Sequence, residues 1–256
     1  MRKSSSSLFY LFFLIICAQN NIISQGIDDA EVIKKEVWPG YETGGGAYYI
    51  AYSPYRTGFS IVTSYISLPT SLNTNNGKRN AYISFGVLGI SGFIDMGIMN
   101  DGAGWKPFYC LNKQFQSFPE YIGIKNVKIV GIEIEVLQSR NIIFSLSFRD
   151  SGLKILKSFR TVIDGRNILE YENNKVKLRF YRFASLVNTY YPDNQNDQTY
   201  MINGIFTNLV IVVNGAGYSW GIAGDYIETS WKVSTKRIEF GYADDHESFS
   251  IKHYQY

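Results

Sequence analysis

The chain has 256 residues, with 25 Lys+Arg against 22 Asp+Glu, two histidines and two cysteines. A charge balance this even leaves no basic footprint for nucleic acid. With so few His and Cys there are not enough ligands for a zinc cluster. The abundant residues, 20 Tyr, 17 Phe and 23 Gly, are those of strands and tight turns.

In chain order, residues 1–18 come first. Arg2 and Lys3 precede an apolar run, Leu8 to Ala18, and Gln19-Asn20-Asn21 follows at once. The run is too short to span a bilayer as a helix and has the layout of a secretory signal peptide, with cleavage after Ala18 and with Ser24 or Gln25 as alternative sites. The expectation is a secreted, extracellular protein with no transmembrane segment. Its removal takes Arg2 and Lys3, leaving 23 basic against 22 acidic residues, a net charge of about +1. Cys17 leaves with it, so Cys110 stands alone, no internal disulfide is expected, and a domain of this size must hold by burial. Residues 19–45 read as an N-terminal lead, charged from Asp28 to Val37, and residues 46–256 as one domain.

Within that domain, period-2 runs alternate with Gly/Asn/Asp turns. Strands are expected at 46–51, 59–68, 81–87, 93–99, 127–137, 142–148, 153–163, 175–183, 204–213, 218–222, 226–234, 237–242 and 248–254. In Val130-Gly-Ile132-Glu-Ile134-Glu-Val136 the even positions are apolar, so Glu133 and Glu135 point the other way. In Lys175-Val-Lys-Leu-Arg-Phe180, Val176, Leu178 and Phe180 face inward. No window has a helical period. The fold class is therefore all-β, a single large antiparallel sandwich of jelly-roll type. Asn73–Asn80 is expected to be a hairpin turn around Asn76-Gly77, and Tyr190–Tyr200 a long polar loop.

The chemistry on offer is narrow. His246 and His253 are the only histidines, and there is no HExxH, no GxSxG elbow and no phosphate loop. No metal and no cofactor are expected. Asp193, Asn194, Asn196 and Asp197 offer oxygens but lack the ordered spacing of a calcium loop. Hydrolysis would have to run on carboxylates. Aromatic residues in Gly-rich or polar segments offer platforms for sugar rings, whose C–H faces stack on aromatic planes. Trp105, Tyr109, Tyr191 and Trp220 are the candidate ligand-binding residues, with Asp101–Pro107 as a loop presenting Trp105.

Two resemblances bear on the fold. Glu133-Ile-Glu135-Val-Leu-Gln138 resembles the Glu-Ile-Asp-x-x-Glu signature of family 16 glycoside hydrolases, with Gln138 in place of the final acid. More broadly, Phe59–Pro69, Ala81-Tyr-Ile-Ser-Phe-Gly86 and Ile94-Asp-Met-Gly-Ile98 resemble segments of the glutamic peptidases (eqolisins), secreted concanavalin A-like sandwiches. That resemblance puts Asp95 at the family's catalytic Gln. In Ile227-Glu-Thr-Ser-Trp-Lys-Val233 it puts Ser230 at the catalytic Glu. Both positions differ from the family, and Asp95 with Glu228 is the remaining candidate catalytic pair.

The first functional expectation is a secreted, lectin-like binding protein for an extracellular glycan or other polymer, without catalysis. The alternatives are an acid-acting, peptidase-like hydrolase using Asp95 and Glu228, and a self-assembling structural protein.

Overall fold

Alternating apolar and polar residues build strands that each bury one face, and this chain consists of little else. The computed structural model describes residues 36–37, 47–75, 77, 79–187, 199–220, 230–233, 238–243 and 246–252, all within the unit Lys35–Tyr256. In chain order the strands are β1 Glu36–Val37, β2 Ala47–Tyr52, β3 Arg56–Thr57, β4 Phe59–Ser67, β5 Ser71–Asn73, β6 Asn80–Leu88, β7 Phe93–Asn100, β8 Trp105–Leu111 and β9 Gln114–Ser117. A 3₁₀ turn, Pro119–Tyr121, follows. Then come β10 Ile129–Val136, β11 Asn141–Arg149, β12 Ile155–Asp164, β13 Glu170–Glu172 and β14 Lys175–Val187. The chain closes with β15 Tyr200–Val213, β16 Ala216–Ser219, β17 Ser230–Val233, β18 Ile238–Ala243 and β19 His246–Lys252.

Among the described residues these strands form two sheets. Sheet I runs β1-β17-β2-β14-β6-β7-β8-β9, with β3 and β13 also on β14. Sheet II runs β12-β11-β10-β4-β15-β19-β18, with β5 and β16 also on β15. Pairing is antiparallel except for β1, which lies parallel to β17 and brings part of the expected lead into sheet I. The architecture is the expected antiparallel sandwich.

The inner faces meet in one apolar core. Phe85 of sheet I meets Phe206 of sheet II edge-on at 5.5 Å, and Phe59 meets Phe180 at 5.9 Å. Val130, Ile132, Ile134 and Val136 are buried on β10, and Val176, Leu178 and Phe180 on β14, as the alternation required. One charged pair also lies between the sheets. The Arg182 Nη2 of β14 donates to Glu247 Oε2 of β19 at 2.6 Å, both side chains being almost wholly buried. Trp220 stacks on that guanidinium at 4.4 Å. Along one side, the 3₁₀ turn plugs the gap between the sheets: Phe118 and Tyr121 pack on Phe159 of β12, with ring centroids 4.6 and 5.5 Å away.

Two local expectations are corrected, and some short strands went unforeseen. Asn73–Asn80 is no hairpin: β5 pairs with β15 in sheet II, whereas β6 pairs in sheet I, so the segment crosses between sheets. Asp101–Pro107 is not all loop, because Trp105 opens β8. Pro107 is tolerated there because β8 has outrun the β9 ladder, whose last pair is Phe108 with Ser117. The Pro107 carbonyl accepts from the Phe118 amide, so its missing N–H points away from β7 and costs no bond there. Finally, the short strands β3, β5, β9 and β13 were too brief to show a period. The expected signal peptide, the 190–198 part of the polar loop and the candidate calcium oxygens fall outside the described residues. No helix among the described residues is long and apolar enough to cross a membrane.

Candidate functional site on the outer face of sheet I

Cross-strand partners share a face, so the register maps the outer surface of sheet I. One row runs Ser230, Tyr52, Tyr181, Gly86, Asp95, Cys110, Phe115. The next runs Ile50, Phe183, Ser84, Gly97, Phe108, Ser117, and below it lie Ser185, Tyr82, Met99 and Lys106. An outer sheet face is ordinarily wet. Here Tyr181, Ser84, Ser185, Met99, Phe108 and Lys106 are all buried.

Asp95 lies in the first of these rows and is half-buried. The Tyr181 hydroxyl donates to its Oδ1 and also lies 3.3 Å from the Ile94 carbonyl. Tyr181 reaches across because the strand between them carries glycine. A Cβ on Gly86 would lie 1.9 Å from the Tyr181 Cζ, so only a bare backbone lets the ring pass. Burial pushes the Asp95 carboxyl up from 3.8 to about 6, against the pull of the Tyr181 bond. Burial, and then Asp95 itself, raises Tyr181 well above its ordinary range. Cys110, across from Asp95, is pushed up by burial and by that carboxylate. The thiol is partly accessible, but nothing beside it favours a thiolate.

Aromatic rings frame the carboxyl. Tyr181 packs on Tyr52 at 5.7 Å and stacks on Phe183 at 6.2 Å. On the other side Tyr82 meets Phe108 edge-on at 5.1 Å, and Phe108 stacks on the half-exposed Phe115 at 5.6 Å. Arg179 lies over Tyr52 at 4.8 Å. Two hydroxyls on this face, Ser84 Oγ and Ser185 Oγ, are buried without a protein partner. Buried polar atoms are nearly always satisfied, and these two are closed off from solvent as well as from protein partners. This chemistry can hold a polar, ring-bearing chain and present one protonatable acid to it.

Of the residues singled out from sequence, Asp95 is at the centre of this face. Ser230 shares its row at the β17 end, but β2, β14 and β6 intervene, a separation of about 19 Å. Glu228 and Tyr191 lie outside the described residues. Among the described residues, no second carboxylate stands in the Asp95 row. Trp105 and Tyr109 are half-buried on the core side of β8, and each lines a different depression. Trp105 borders one of about 220 Å³ with Leu68, Ile124 and Phe148. Tyr109 borders a cleft of about 410 Å³ with Gln114, Phe115 and Val162, its hydroxyl donating to Gln116. Trp220 is corrected: it is fully buried against Arg182 and Phe85 and cannot meet a ligand. Its neighbours Gly217 and Ser219 are exposed, so local composition gave no hint of its burial.

Tyr82, Ser84, Tyr181 and Ser185 were not singled out. A signal was present on β14, where the outward positions change from Lys177 and Arg179 to Tyr181 and Phe183. That change from charge to aromatic marks a face passing out of water.

Glu133 and Glu135 stand on the outer face of sheet II. Burial and then Glu135 raise Glu133, with Arg160 opposing. No cluster of three or more potential metal-ligating side chains occurs among the described residues.

The two antiparallel sheets form a β-sandwich whose fold is like that of glutamic peptidases. The fold is similar to that of scytalidoglutamic peptidase, in a crystal structure with a peptide-based transition state analog (TM-score 0.53, 9% identity, 81% of this chain and 98% of that chain). It is also similar to SCP-B, a member of the eqolisin family of peptidases, in a complex with the tripeptide Ala-Ile-His (TM-score 0.50, 6% identity, the same coverage). At these identities the likeness is one of fold. No family model and no curated protein matches the chain.

Proposed function

We propose that this is an exported binding protein that holds an extended polymer, foremost a glycan chain, on the outer face of sheet I. The observation that carries the reading is the half-exposed Phe115 ring standing edge-on to the partly exposed Tyr82 at 6.5 Å, on the same outer face as the Asp95 carboxyl. Rings such as Tyr82 and Phe115 supply planes for stacking, while Asp95 supplies a hydrogen bond that fixes orientation. Mature protein screened on a glycan array and in polysaccharide pull-downs is expected to bind. Tyr82→Ala should weaken that binding about tenfold or more, the size of one lost stacking contact. Uniform absence of binding would overturn the reading.

A second reading, an acid-acting hydrolase, draws on two observations: the peptidase-like fold and an Asp95 carboxyl held near 6, close to the range of a working acid. It pairs Asp95 with Glu228 and calls for proteolysis at low pH that Asp95→Asn and Glu228→Gln each abolish. Cleavage surviving either variant rules the pair out.

A further inference from the structure

The outward positions of β14 run Lys175, Lys177, Arg179 and Tyr181, alternate residues on one face. Two of these three cations are already engaged. Lys177 Nζ is held by Glu172 Oε1 at 2.9 Å, and Lys175 Nζ donates to Asn214 Oδ1 at 3.1 Å. Arg179 is different. Its Nε donates to the Ser53 carbonyl at 2.9 Å, and its guanidinium lies over the Tyr52 ring at 4.8 Å. One bond and one stack thus fix the group, yet among the described residues no oxygen accepts from either terminal nitrogen. Arg179 is half-buried, but unlike the two serine hydroxyls its terminal nitrogens reach solvent. Burial lowers Arg179 from its ordinary range, Tyr52 and then Tyr55 oppose the shift, and no described carboxylate compensates it.

The acids of this stretch have partners of their own. Glu172 holds Lys177, Glu170 accepts from the Ser91 hydroxyl at 2.5 Å, and Asp95 accepts from Tyr181. A cation drawn partly out of water and left unpaired is costly. A planar fork already stacked on an aromatic ring suits an oxyanion, which accepts two parallel N–H bonds from it. Place decides whose anion it is. Arg179 lies two residues along β14 from Tyr181, about 7 Å, and Arg179, Tyr52, Tyr181 and Asp95 form an unbroken line of contacts. A chain lying against Asp95 and Tyr52 meets the guanidinium. The ring planes of Tyr82 and Phe115 on the same face favour a sugar chain over an acidic peptide. We infer that the polymer held here is an acidic glycan and that Arg179 binds its carboxylate or sulfate group. This rests on the glycan reading above and names the class of chain.

The test compares matched polymers on the unmutated mature protein by titration calorimetry. Polygalacturonate is set against its methyl ester, and dextran sulfate against dextran, so that each pair shares a backbone and differs in the anion. The expected result is binding at least about tenfold tighter to the acid member of a pair, the size of one charge-assisted contact. The preference should shrink as salt is raised, and the pair that shows it tells carboxylate from sulfate. Arg179→Gln should abolish the preference. Arg179→Lys, which keeps the charge without the fork, should retain only part of it. Equal binding within both pairs would overturn the inference and leave the glycan reading standing, whereas no binding to any of the four would overturn both. A preference undiminished in Arg179→Gln would also overturn it. So would polyglutamate bound as tightly as the preferred acid chain, which would assign Arg179 to an acidic peptide.

Discussion

Asp95 shows how one residue carries the pH behaviour of the site. Its carboxyl is held at about 6 in the folded chain, against 3.8 ordinarily. The acid is protonated more readily folded than unfolded, so it contributes stability that is full below pH 3.8 and lost as pH rises through 6. A gap of about two pH units sets a ceiling of about 3 kcal/mol, reduced because the group is only half-buried. Asp95→Asn keeps an acceptor for the Tyr181 hydroxyl and removes the titration. Urea midpoints measured at pH 4 and pH 7.5 should show the variant gaining on the parent at the higher pH, with the difference vanishing at the lower. A constant difference at both values would contradict the burial argument. The position of Asp95 was legible in the sequence through its segment order. Its partner was not, because Tyr181 is 86 positions away and reaches it only across an intervening strand.

At the scale of elements, alternation made some strands readable and hid others. β10 and β14 each bury one face against the core, so their sequences carry the period of two. β8 lacks that signature, because Pro107 interrupts it and Gly102 and Gly104 precede it. The supposed hairpin at Asn76-Gly77 failed for a related reason: turn chemistry specifies a reversal nearby and says nothing of which sheet the next strand joins. β6 illustrates the coupling between strand and site. Gly86→Ala drives a methyl into the Tyr181 ring, costing about 1–3 kcal/mol as overpacking and breaking the bond to Asp95. Because that bond holds the carboxyl down, its midpoint should rise above 6 in a carboxyl NMR titration of the variant. An unchanged midpoint would show that Tyr181 does not govern Asp95.

At the scale of the molecule, the two sheets described are joined by an apolar core that encloses the Arg182–Glu247 ion pair. Arg182 belongs to sheet I and Glu247 to sheet II, so the pair ties together strands 65 positions apart. Replacing Glu247 with Gln removes the charge from one side of this buried contact, a change expected to cost more than about 1 kcal/mol. Chemical denaturation with an unchanged slope and a lowered midpoint would register it; a loss under about 1 kcal/mol would mean that the pair is no more than a surface bridge in effect. By itself the sequence determined the all-β class and the inward faces of the long strands, because burial repeats locally every second residue. Tertiary structure alone decided that Trp220 is core, that two serine hydroxyls go unpartnered beside Tyr181, and that β12 ends its sheet. Each of these depends on which distant strand lies alongside, and a period of two is silent about neighbours.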